Sequence, residues 1–273
     1  MSDTNKDSNN LSGCVALITG AAGGIGKAIA SRLLSDGACV AITDINEDGL
    51  KSLDLFEHYD NTRLLPIKMD VTDETSVNKA FMAAKEHFKR LDIVVSNAGI
   101  ALAAPLMETS VQDWDRCMNI LGKGYFLVTR EAMRLFHKQE EGGNIIYIGS
   151  KNGITASINA SAYCAAKAAE VNLARCAALE GAAFGVRVNM VSTEAVIRGS
   201  AIWSSSWREE RADAYGINPD DLEDYYRNRT LLKQSIFPED VADAVAFLAS
   251  SRSLKMTGNI LNIDGGNQHA FSR

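Results

Sequence analysis

Tyr163 and Lys167 stand four residues apart in the Ala-rich run SAYCAAKAAEVNLARCAALEGAAFG. The run reads as one long helix ending near Gly185. Four residues are about one helical turn, so both side chains leave the same face. A phenol beside an ammonium is a usable acid/base: free tyrosine titrates near ~10, and an adjacent positive charge favours the phenolate. Ser150 follows GGNIIYIG, which reads as a strand ending in a turn. Its hydroxyl can meet the start of the helix at the carboxyl edge of a sheet. Tyr and Lys at this spacing also occur as plain surface pairs, so the surrounding elements decide between the two readings.

Those elements begin with CVALIT, a short apolar strand that runs into Thr19-Gly20-Ala21-Ala22-Gly23-Gly24-Ile25-Gly26 and then the helix KAIASRLLSDG. Strand, glycine turn and helix N-terminus together make an anion site, because glycines admit a pyrophosphate and the helix dipole favours its charge. A second strand, ACVAIT, ends at Asp44, 24 residues after Gly20. That is where a nucleotide-binding fold places the acid that reads a ribose. A carboxylate there accepts from both hydroxyls and repels a 2′-phosphate, and the glycine loop offers no basic side chain. NAD is the expected cofactor. The alternative is that Asp44 caps the following helix.

A third strand, RLLPIKM, ends in Asp70-Val71-Thr72, where Asp70 is expected either to hold an adenine amino group or to cap the next helix. The fourth, LDIVVS, leads to Asn97-Ala98-Gly99, small enough to lie flat against a cofactor. Apolar strands alternating with helices imply a parallel sheet covered on both faces. Ser110, with Asp113 three residues on, starts a long helix that holds Asn119 in its middle. Asn119 is either an exposed polar residue or the holder of a water at a loosened turn.

The 46% hydrophobic and 23% charged content suits a soluble globular chain, which at 273 residues can still be one domain. A net charge of -6 argues against nucleic acid as a partner. No apolar run is long enough for a bilayer, and MSDTNKDSNN lacks the core of a signal peptide. Cys14, Cys39, Cys117, Cys164 and Cys176 form no Cys-x-x-Cys pair, which suits reduced thiols and a cytoplasmic home. Cys164 adjoins Tyr163 but shows no base to make it a nucleophile. The four histidines lack metal-ligand spacing, and no metal is expected.

With these motifs assembled, the chain resembles the short-chain dehydrogenase/reductase family over about residues 12–266. The resemblance rests on TGAAGGIG at 19–26, NAG at 97–99, Asn119, Ser150, Tyr163-x-x-x-Lys167 and TGNILNIDGG at 257–266. It implies a single doubly wound, Rossmann-like α/β domain with a seven-stranded parallel sheet, commonly a homotetramer or homodimer. It implies that Tyr163 is the general acid/base, that Lys167 lowers its pKa and holds the nicotinamide ribose, and that Ser150 positions the substrate oxygen. Asn119 would support a water-linked proton relay. The cofactor would lie against Gly20, Gly24, Ile25, Gly26, Asp44, Asp70, Val71, Asn97, Ala98, Gly99 and Val196, besides Tyr163 and Lys167.

One departure stands out: where the family usually has Pro-Gly, then Val or Ile, then Thr, this chain has Thr193-Glu194-Ala195-Val196-Ile197-Arg198. Glu194 replaces the glycine, and Arg198 replaces the threonine. With SKNGITAS, WSSSWREERADAYG and DGGNQHAFSR, that turn resembles the dehydrogenase half of bifunctional sugar-phosphate aldolase/short-chain dehydrogenases.

The expected organisation is a flexible polar tail over 1–10 and one domain over 11–273, with a helical lid at about 193–237 inserted after the sixth strand. Ser206 with Glu209 reads as a capping box for the first lid helix, and Asn218-Pro219 starts the second. Lys151, Arg198 and Trp203 are the candidate substrate residues, and Arg208 in the lid can swing over the same space. If these cations face the pocket, the substrate is anionic or heavily hydroxylated; if Arg198 pairs with Glu194 and Lys151 meets water, they say nothing about it. The expected activity is NAD-dependent oxidation of a secondary hydroxyl on a sugar, polyol or sugar-derived acid. The alternatives are a reductase of an apolar ketone or hydroxysteroid, and a non-catalytic dinucleotide-binding regulator.

Overall fold

The computed structural model describes residues 10–204 and 206–271. Apart from Asn10, the expected tail over 1–10 lies outside the described residues. Seven strands form one parallel sheet: β1 (Val15–Thr19), β2 (Cys39–Asp44), β3 (Leu64–Lys68), β4 (Ile93–Ser96), β5 (Gly143–Ser150), β6 (Val186–Thr193) and β7 (Ile260–Ile263). Their order is β3-β2-β1-β4-β5-β6-β7. The helices are α1 (Gly24–Ser35), α2 (Glu47–Lys51), α3 (Glu74–Phe88), α4 (Val111–Cys117), α5 (Tyr125–Gln139), α6 (Ser161–Gly181), α7 (Trp207–Tyr215), α8 (Leu222–Asn228) and α9 (Pro238–Ala249). This is the Rossmann-like α/β domain expected from the sequence.

The apolar strands are buried on both faces because successive side chains alternate between two cores. Val15 and Leu17 of β1 pack with Phe81 of α3, Phe136 of α5 and Val171 of α6. Ala16 and Ile18 of the same strand pack on the other face, with Ile29 and Leu33 of α1 and Val241 and Val245 of α9. A third, smaller core of Ala212, Leu222 and Tyr226 binds α7 to α8.

Three local expectations are refined. The helix through Asn119 is not continuous: α4 gives way to a π-helical stretch, Met118–Gly124, before α5 begins. The helix of Tyr163 ends at Gly181, with a 3-10 turn over Ala182–Phe184 before Gly185 takes the left-handed turn at φ +71. Ser206 precedes α7 but makes no side-chain cap, because its backbone is already helical at φ -52, ψ -23 and cannot turn its hydroxyl back onto the first-turn amides. Ser110 does cap α4, accepting from Asp113 N–H at 3.0 Å.

Gly20 ends β1 at φ +67, and a Cβ there would lie 2.6 Å from the Ala98 Cα. Gly20→Ala therefore meets both backbone strain and a backbone clash. It is expected to lose about 1–3 kcal/mol of stability, read from the midpoint of urea unfolding. An unchanged midpoint would contradict this account of the turn.

Candidate active site

The strands' carboxyl ends open into one cleft of about 690 Å³. β5 delivers Ser150, a short 3-10 turn follows over Lys151–Gly153, and α6 begins at Ser161. Tyr163 thus occupies the first turn of α6, and its hydroxyl hydrogen-bonds Ser150. One turn on, the Lys167 ammonium donates to Ile148 O at 3.1 Å and to Glu170 Oε2 at 3.0 Å. Its nitrogen lies 5.9 Å from the Tyr163 ring centre. Ser150, Tyr163 and Lys167 all line the cleft.

The nucleotide end is held by Asn97. Its Nδ2 donates to Thr19 O and to Gly20 O, both at 2.9 Å, and Thr19 Oγ1 accepts from Asn97 N–H and Ala98 N–H. An amide followed by small residues thereby locks the glycine turn against β4. Gly20, Gly24, Ile25, Asp44, Asp70, Val71, Asn97, Ala98, Gly99 and Val196 line the cleft. Gly26 lies behind it, where a Cβ would run into Gly20 O and the Asn97 side chain. The Asp44 carboxylate accepts from Ala22 N–H at 3.1 Å and Asn46 N–H at 2.9 Å. The cap of α2 is Asn46, so Asp44 stays with the glycine loop. Asp70 accepts from Thr72, and α3 is capped by Asp73.

These residues suit a dinucleotide. A Cβ added at Gly23 meets no protein atom within 4 Å, so the loop's backbone is bare ahead of the α1 N-terminus.

Asn119 is exposed and outside the cleft; its turn presents Ile120 and Leu121 there instead. The π-helical stretch changes the phase of the helix, and an apolar Leu121 packs toward Gly99. An Asn119 relay therefore has no place beside Lys167. Of the expected substrate residues, Lys151 and Trp203 line the cleft and Arg198 does not. Arg198 is tied to Glu223 at 2.8 Å, and Arg208 to Pro219 O at 3.1 Å and Asp220 at 3.2 Å. Lys151 is buried against Glu194 at 3.0 Å, so the suggested Arg198–Glu194 pair and a water-facing Lys151 are both corrected.

The sequence reading missed Glu170 and Arg211. Glu170 had a signal, since it lies three residues past Lys167 on the same helical face. Arg211 had none within WREERADAY. Glu170 is fully buried, which pushes its carboxyl up to about 8 against the pull of Lys167. Burial also raises the Tyr163 phenol above its ordinary value, and Lys167 and Ser150 only partly oppose this. The expected lowering by Lys167 is real but outweighed. Burial works against the Lys167 ammonium too, yet Glu170 and Tyr163 hold its pKa above the usual one. Cys164 is raised by burial, which leaves it no thiolate nucleophile. Among the described residues, no helix is long and apolar enough to cross a membrane.

A family model described as enoyl-(acyl carrier protein) reductase matches residues 20–268. An uncharacterized oxidoreductase of Bacillus subtilis, YuxG, is 51% identical over 95% of this chain, which spans only 38% of that relative's length. D-threitol dehydrogenase of Mycolicibacterium smegmatis is 35% identical over 94% of this chain and 93% of its own. The solved structure of sorbitol-6-phosphate 2-dehydrogenase from Erwinia amylovora superposes with a TM-score of 0.87 at 32% identity. It covers 92% of this chain and 98% of that one.

The ion pair under Tyr163 makes a pH prediction. Burial is the main cause that raises Tyr163, Tyr125 and Tyr147, and the Glu170 charge adds to it in each. Glu170→Gln keeps the shape and removes the negative charge, so the phenol should ionise at lower pH. The ascending limb of an alcohol-oxidation profile, along which the phenol loses its proton, is expected to move toward acid. A shift toward alkali, or none, would contradict the electrostatics of this cluster.

Proposed function

The chain belongs to the short-chain dehydrogenase/reductase family and is an oxidoreductase, and from that premise we propose that it oxidises a secondary hydroxyl of a polyol or sugar with NAD. The observation that carries this reading is the single cleft with Asp44 at one end and Ser150, Tyr163 and Lys167 at the other. Asp44 sits where a ribose is read, and its neighbours Ile45 and Asn46 bring no positive charge to welcome a 2′-phosphate. Relatives act on threitol and sorbitol 6-phosphate by their names, which supports a polyol. The wall beside Ser150 supports it too, because a buried Lys151–Glu194 pair suits hydroxyls better than a hydrocarbon.

The residues divide the work. The glycine loop and the α1 N-terminus would hold the pyrophosphate, Asp44 would hold a ribose, and Asn97-Ala98-Gly99 would form a flat wall. Bound there, NAD supplies the hydride acceptor. Ser150 Oγ and the Tyr163 hydroxyl together bind the carbinol oxygen, and Tyr163 as phenolate takes its proton. Lys167, fixed by Ile148 O and Glu170, keeps positive charge beside that phenolate and would hold the nicotinamide ribose. The turn before α7 with Trp203, and the α7–α8 segment with Trp207 and Tyr226 on the cleft side, act as the lid that excludes water.

We also read the chain as cytoplasmic and as a homotetramer or homodimer. Its kinship to the dehydrogenase half of bifunctional aldolase/dehydrogenases is supported by the longer Bacillus subtilis relative, of which it matches only a part.

A panel of polyols, aldoses, their phosphates, alkyl alcohols and apolar ketones, assayed with NAD and NADP, tests the reading. Polyols or sugars with NAD are expected to give the highest kcat/KM. Preference for an apolar ketone or hydroxysteroid would establish the reductase alternative, for which the aromatic wall is the structural basis. Asp44→Ala should raise the KM for NAD and narrow the preference over NADP by about tenfold or more, as one acceptor and one repulsive charge are lost. A wild-type enzyme that prefers NADP would overturn the cofactor assignment.

A further inference from the structure

Arg211 on α7 is 1% exposed, yet among the described residues it makes no ion pair. Its Nη1 donates to Ile158 O at 2.5 Å, its Nη2 donates to the Tyr215 hydroxyl, and its Nε–H has no acceptor. The rings of Trp207 and Tyr215 flank the guanidinium at 5.3 and 4.5 Å. Glu209 and Asp213 on the same helix face solvent. The neutral oxygens of Ile158, Tyr215 and Tyr226 are a poor replacement for water around a charge, and a guanidinium has five N–H groups to satisfy. A neutral side chain would serve better if Arg211 only tied α7 to the chain at Ile158.

Its position gives the reason. Arg211 lines the cleft that holds Tyr163, with Trp207 between them: the Trp207 and Tyr163 ring centres are 5.8 Å apart. A second buried cation, Lys151, lies in the same wall. It faces Glu194 at 3.0 Å but makes no aligned hydrogen bond. Both cations pull on the thiol of Cys164, the residue next to Tyr163, so both stand close to the same side of α6. Glu194 offsets one of them, and its oxygens are already engaged by Ala195 N–H and Asn267 Nδ2. Arg229 also donates to the Tyr215 hydroxyl and feels the same Glu194, so positive charge outnumbers negative around this end of the cleft.

We propose that Arg211, with Lys151 beside it, forms a subsite for an oxyanion, carboxylate or phosphate, carried by the substrate at the end remote from the reacting carbinol. The guanidinium fork presents its unpartnered Nε–H and a neighbouring Nη–H to paired oxygens, the geometry that suits either group. This rests on the polyol or sugar reading of the same site and moves the anion contact from Arg198 to Arg211. Trp207 lies over the guanidinium, so an arriving anion changes its surroundings and its emission.

The test compares erythritol, erythritol 4-phosphate and erythronate at saturating NAD, in the wild type, Arg211→Met and Arg211→Lys. In the wild type at least one anionic alcohol should exceed erythritol in kcat/KM by about 10–100-fold. That ratio should collapse toward unity in Arg211→Met and recover in part in Arg211→Lys. The phosphate and carboxylate arms show which oxyanion the substrate carries. Malonate and inorganic phosphate should inhibit against the alcohol and not against NAD, with a saturable change in tryptophan emission. A wild-type preference for erythritol, or a ratio unchanged in Arg211→Met, overturns the subsite. So does anion inhibition that competes with NAD, which would place the anion on the glycine loop. If none of the three alcohols is oxidised, the polyol reading fails and the emission titration decides the subsite. A saturable change in the wild type that Arg211→Lys weakens upholds it, and no change overturns it. The Lys variant and the wild-type inhibition keep the proposal testable if Arg211→Met does not fold.

Discussion

The sheet grows outward in both directions from β1, through β2 and β3 on one side and β4 to β7 on the other. Loops leaving the carboxyl ends of β1 and β4 must therefore part, and a crevice opens between them. Everything the site needs follows from that separation. The glycine turn leaves β1 and cannot spread, because Asn97 at the end of β4 holds its carbonyls. Asp44 reaches the same turn from β2, and Ser150 arrives at the far side from β5. Binding and chemistry thereby fall on one edge of a sheet whose two faces are sealed by core.

At the chemical end, electrostatics depends on one buried pair. Lys167 cannot wander, because a backbone carbonyl and a carboxylate fix its ammonium. Glu170 makes that lysine stable in the interior, but it also cancels part of the positive charge that would favour the Tyr163 phenolate. Burial, with Glu170 adding to it, holds the phenol above its ordinary value in the protein by itself. The positive charge of an oxidised nicotinamide, brought into the same enclosed space, acts in the opposite direction.

Much of this was legible in the sequence, for definite reasons. The strands are apolar throughout because both sheet faces are buried, and a parallel sheet follows. Tyr163, Lys167 and Ser150 were found because they lie near one another along the chain, where one helical turn or one strand end fixes their relation. Asn119 escaped because a π-helical stretch alters the phase of its helix, and no periodicity in MNILGKG announces it. The pairing of Arg198 was out of reach because Arg198 lies in a turn and its partner, Glu223, is 25 residues away on α8. Arg211 looked like one more charge on an exposed helix, and only the packing of α7 against α8 shows it to be enclosed.

The central claim is that Tyr163 carries the proton. Tyr163→Phe tests this most directly, because the ring and its packing remain while the hydroxyl is lost. Single-turnover oxidation of the best alcohol should slow by about 10²–10⁴-fold, the range for a general acid/base, with NAD affinity changed far less in a parallel titration. Oxidation at close to the wild-type rate would contradict the account.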